Sequence, residues 1–187
     1  MKNIYVIDTC SLLDFFKFYQ FDKHNDGTVY TPLRQFLVEK INKDEIIIID
    51  KVFEEVKTWR DFDFKKQISG KIAPTTALIV KVKELSTKYY IEANEKFFKT
   101  QDAINQKINE HENTVADFFL IAKCLSLKAP DINPILVTEE TKRFDNKLFE
   151  KLPTICNQER LTYTDIPHLL FETYKDELEF KLKITAK

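Results

Sequence analysis

The chain has 187 residues, 43% of them apolar, with 29 basic against 30 acidic side chains and a net charge of −1. That length suits one domain with a sizeable core. The near-zero charge excludes a protein that draws in nucleic acid through a global basic field, so any positive surface must be local.

The first apolar run, Ile4 to Ile7, reads as a buried strand and stops on Asp8-Thr9. Ser11, with Asp14 three residues on, resembles a capping box and predicts a helix carrying Leu12, Leu13, Phe15, Phe16 and Phe18. His24 to Gly27 is a polar turn. Thr31-Pro32 opens a second helix, with Leu33, Phe36, Leu37 and Ile41 inward. Ile46 to Ile49 is a second buried strand, and Asp50 is expected to cap the short helix after it. From Arg60 the pattern weakens. A helix is expected over Pro74 to Leu85 and another between Tyr89 and Glu110. Asn113-Thr114 begins an apolar helix, Val115 to Leu125. Pro130 to Pro134 reads as a loop, Ile135 to Val137 as a strand, and Leu161, Tyr163 and Ile166 as a short last strand before a closing helix from His168.

This order predicts an α/β fold of three layers, α/β/α, around a central parallel sheet of about four to five strands. One domain spans residues 1–187, with a charged helical insertion over about 60–112. Three scattered cysteines without a C-x-x-C pair are expected to be reduced thiols of a cytoplasmic protein. No signal-peptide pattern and no apolar stretch of the ~20 residues that span a bilayer is present, so no membrane partner is expected.

The chemistry lies in where the strands end. Ile135-Leu136-Val137 leads into Thr138-Glu139-Glu140, as Ile4–Ile7 leads into Asp8-Thr9. Parallel strands that end in a hydroxyl and an acid deliver carboxylates to the sheet edge where ligands bind. Acids gathered there repel one another unless a divalent cation lies between them, the pattern of a metal-dependent phosphotransfer or nuclease site. On the helix after the second strand, Val52, Val56 and Trp59 share one side. Glu55 flanks that side, whereas Glu54 points away with Asp50 and Thr58. Asp117 sits in the first turn of a helix apolar all round, so its carboxylate needs a partner. Thr114-x-x-Asp117 also resembles a capping box. Among Glu139, Glu140 and Asp145, geometry leaves open which reaches the edge.

Four motifs in order give the chain a family likeness: I-D-T-C-S-L-L (7–13), I-D-K-V-F-E-E-V (49–56), A-D-F-F-L-I-A (116–122) and L-V-T-E-E (136–140). Together they resemble the PIN domain family of metal-dependent nucleases. K-L-P-T-I-C (151–156) is similar to a Pro-x-x-Cys element of a prokaryotic PIN subfamily related to VapC-type toxins. The resemblance implies Asp8, Glu55, Asp117 and Glu140 as catalytic metal ligands, its Thr-x-acid spacing selecting Glu140. It implies Mg²⁺ or Mn²⁺ as cofactor, an activated water, and Thr9, Ser11 and Thr138 as donors that orient carboxylates. The implied activity is endoribonuclease cleavage of RNA, compatible with the toxin of a toxin–antitoxin pair. An antitoxin protein and a second copy of the chain are the further candidate partners. The alternative is a catalytically weak PIN module that binds RNA or a protein.

Positive charge for RNA is expected from residues 57–88, where eight basic residues face three acidic ones. Lys57, Arg60, Lys65 and Lys66 are the candidates nearest the second motif. Rival chemistries lack their residues. A haloacid-dehalogenase-like phosphatase needs an acid where Cys10 stands. Dinucleotide and P-loop sites need glycine runs, and Gly27 and Gly70 are alone. Cys10 as a nucleophile has no paired histidine in His24, His111 or His168.

Overall fold

The computed structural model describes residues 1–19, 30–56, 62–91, 99–141 and 148–176, and within them the side chains other than those of 16–19, 30–32 and 62–63. The elements, in order, are β1 (Lys2–Ile7), α1 (Thr9–Tyr19), α2 (Tyr30–Asn42), β2 (Ile46–Ile47), α3 (Asp50–Glu55), α4 (Phe62–Ile68), α5 (Ile79–Lys88), α6 (Gln101–Asn113), α7 (Ala116–Leu127), β3 (Ile132–Val137), α8 (Leu152–Glu159), β4 (Thr162–Thr164) and α9 (Ile166–His168). The last continues as a wider turn over Leu169–Thr173.

The four strands form one parallel sheet in the order β2-β1-β3-β4. β1 and β3 run in register from Lys2 opposite Ile132 to Ile7 opposite Val137. The chain moves one way from β1 to β2 and the other way from β2 to β3. Right-handed crossovers then place α1 and α2 on one face and the helices that precede β3 on the other, which makes the three layers. The reversal falls between β1 and β3, the strands that carry the two hydroxyl-acid endings. Apolar runs without alternation suit strands covered on both faces, and Val6, Leu136 and Val137 have no exposed surface. α7 packs across β1 and β3. Phe118, Phe119, Leu120 and Ile121 of α7 are all buried, which is why it reads as apolar all round.

Several local expectations are corrected. The expected strand 46–49 is regular only at Ile46–Ile47. Ile49 instead bridges Ala73, which extends the sheet edge by one residue. Asp50 does not cap α3, whose cap position is Ile49. Its carboxylate instead accepts the Thr75 N–H at 3.0 Å and the Thr75 hydroxyl at 2.5 Å. The helix expected over Pro74–Leu85 begins as a single tight turn at Thr76 and runs regularly over Ile79–Lys88. A further helix, α4, occupies part of the stretch where the pattern weakened. β3 starts at Ile132, inside the expected loop, because Ile4 pairs opposite Pro134 and that position needs no N–H. The His24–Gly27 turn, Trp59, Lys57, Arg60 and Asp145 lie outside the described residues. Among the described residues no helix is long and apolar enough to cross a membrane.

Candidate active site at the switch point of the sheet

β1 and β3 deliver Asp8 and Thr138 side by side. The Asp8 N–H donates to the Val137 carbonyl at 3.0 Å, and the Thr138 N–H donates to the Thr164 carbonyl of β4 at 2.8 Å, so each residue is held by its neighbouring strand. The Thr138 hydroxyl donates to Asp8 Oδ2 at 2.5 Å. The same hydroxyl oxygen accepts the Glu140 N–H at 3.1 Å. This spot, outside the carboxyl ends of the strands where the chain reverses, is where open α/β sheets form their binding crevice.

The helices that follow the strands add the other acids, each seated on backbone donors. Asp8 Oδ1 accepts the Ser11 N–H at 2.5 Å, which makes Asp8 the cap of α1. The Ser11–Asp14 capping box expected from sequence does not form, because α1 already begins at Thr9 and places Ser11 inside it. The buried Ser11 hydroxyl lies beside the Asp8 carboxylate, out of hydrogen-bonding alignment. Glu55 closes α3; its Oε1 accepts the Ala116 N–H at 2.9 Å, the first residue of α7, and its Oε2 accepts the Thr9 hydroxyl. Thr114 does not cap α7; its hydroxyl turns back to the Glu110 carbonyl at 2.8 Å and closes α6. Glu140 Oε2 accepts the Leu152 N–H at 2.8 Å, the first residue of α8, and Oε1 pairs with Lys151 Nζ at 2.6 Å. Glu139 goes elsewhere: its carboxylate accepts the Ile166 N–H of α9 at 2.8 Å.

Three helix N-termini thus converge on one place, each with a carboxylate of this set on its free N–H groups. The positive end of a helix favours such a charge, which lets acids gather that would otherwise repel one another. Asp117 is the exception. It lies in the first turn of α7, half-buried, and among the described residues it has no hydrogen bond or ion pair. Burial, then the charges of Glu140, Glu55 and Asp8, push its carboxyl up to about 7, while Lys151 acts in the opposite sense. All four acids therefore share one electrostatic environment. Burial also raises Asp8, against the lowering effect of its hydrogen bonds from Thr138 and Ser11. Cys10 sits at the rim, and burial together with Asp8, Asp117, Asp14 and Glu140 pushes its thiol up to about 11, so it is no nucleophile.

A family model described as "Domain of unknown function (DUF4411)" matches residues 5–175. The chain belongs to the DUF4411 family. No curated protein and no solved structure matches it significantly.

The donor set of this DUF4411 chain is all carboxylate and hydroxyl oxygen, chemistry that suits a hard divalent cation such as Mg²⁺ or Mn²⁺. Among the described residues, no three acidic, histidine or cysteine side chains form a ready-made metal cage. The reason is visible: Asp8, Glu55 and Glu140 are turned onto protein donors, and Asp117 alone is uncommitted. Lys65 and Lys66 belong to α4, whose principal neighbour is α2. Lys66 is exposed and Lys65 half-buried.

Lys151, which pairs with Glu140, carries no signal of that pairing in the motifs. It stands one residue before a helix that carries Pro at its start. Its position is fixed from both sides. Phe149 bridges Tyr90, the Glu150 N–H donates to the Tyr89 carbonyl at 3.1 Å, and α8 begins at the next residue.

Proposed function

We propose that this chain is a divalent-metal-dependent nuclease that hydrolyses phosphodiester bonds of RNA. The observation that carries the reading is Asp117. A half-buried carboxylate without a partner, in the field of three other acids at a sheet switch point, is costly unless a cation completes it. Likeness of the four motifs to PIN domains supports RNA as the substrate class and endonucleolytic cleavage as the reaction.

Asp8 and Asp117 would be the central cation ligands, with Glu55 and Glu140 completing the set. Thr138 holds Asp8 in one orientation, and Thr9 does the same for Glu55. The cation would supply charge neutralisation and a water acidic enough to attack phosphorus near neutral pH. The buried floor formed by β1 and β3 keeps the carboxylates out of bulk water. The helix N-termini around them supply fixed positive poles where a phosphate approaches. Serving as a toxin under an antitoxin that covers the acids would be the same chemistry under control.

The satisfied state of three of the four acids favours one other reading, a module that binds RNA without cutting it. Labelled single-stranded RNA mixed with the protein and Mn²⁺, with and without chelator, separates the two. Chelator-sensitive cleavage that drops at least about 100-fold in Asp117→Asn is the expected result, within the range for loss of a group that acts in the transition state. RNA bound but uncut by both proteins would leave the binding module.

A further inference from the structure

We draw no further inference here: the strongest candidate, the buried hydroxyl of Ser11 beside the Asp8 carboxylate in the acid cluster at the ends of β1 and β3, belongs to the site already described.

Discussion

Two of the groups of partly or fully buried charge among the described residues are built on opposite logic. In the first, on α2, the ammonium of the buried Lys40 meets Glu45 at 2.8 Å and stands over the rings of Tyr174 at 4.5 Å and Phe36 at 5.4 Å. Charge is matched, the aromatic faces add to the match, and the closing segment is tied to α2 through the Phe36–Tyr174 edge contact. In the second, at the ends of β1 and β3, four acids gather, Glu140 pairs with Lys151, and Asp117 has no hydrogen bond or ion pair among the described residues. A fold has no reason to hold unmatched charge for stability. The first group serves the structure, and on the function proposed above the second is where a cation would bind.

Neutralising Asp117 should break the comparison most sharply. Asp117→Asn is expected to lower Mn²⁺-dependent cleavage at least about 100-fold, about 3 kcal/mol in transition-state terms. The same change should raise the melting temperature of the metal-free protein above pH 7, because it removes the repelled charge. Lys40→Ala should do the reverse. Its loss strands Glu45 and is expected to cost about 2–4 kcal/mol in a denaturant titration, toward the low side of a broken buried pair because Glu45 still reaches water. Mn²⁺ affinity should not move. A Lys40 variant that loses metal, or an Asp117 variant that loses stability, would erase the distinction.

Metal-free stability should also depend on pH in one direction. Asp117 stands at about 7 in the folded chain against an ordinary 3.8, so the folded state holds that proton more tightly than the unfolded one does. Its contribution is complete below about pH 4 and is lost as pH rises through about 7. Asp8, also raised by burial, acts with the same sign. The melting temperature in chelator should therefore fall by several degrees between about pH 5 and 8. Mn²⁺ should restore it, more at pH 8 than at pH 6, because the ion binds the ionised acids. Asp117→Asn should flatten the slope.

Much of this contrast was legible in the chain. Strand ends, register-free, are marked by apolar runs that stop on Asp8 and on Thr138, and a helix wheel separates Glu55 from Glu54. The structure brings Asp8, Glu55, Asp117 and Glu140 into one environment and sends Glu139 to α9. What could not be read is who caps what. Capping motifs assume that a helix is closed by its own neighbours, and here α7 is closed by Glu55, 61 residues away, and α8 by Glu140, 12 residues away. Long-range caps leave no local spacing, so Thr114 and Ser11 looked like better candidates than the residues that do the work. Lys151 escaped for the same reason, since its partner is set by the fold.

The smallest effect comes from two hydroxyls, one inside the acid cluster and one outside both groups. Thr138 donates to Asp8 and accepts from the Glu140 N–H, whereas Thr75, equally buried, donates to Asp50 beside the edge of the sheet. Replacing either by Val keeps the shape and removes the bonds, so each should cost about 1 kcal/mol of stability. Only Thr138→Val should reach the cation: a carboxylate that has lost its orienting donor typically binds metal about 10-fold more weakly. Isothermal titration with Mn²⁺ on the two variants tests this directly. Equal losses of affinity would mean that packing, rather than the orientation of Asp8, governs the site, whereas a loss confined to Thr138→Val would assign that hydroxyl to the function and Thr75 to the fold.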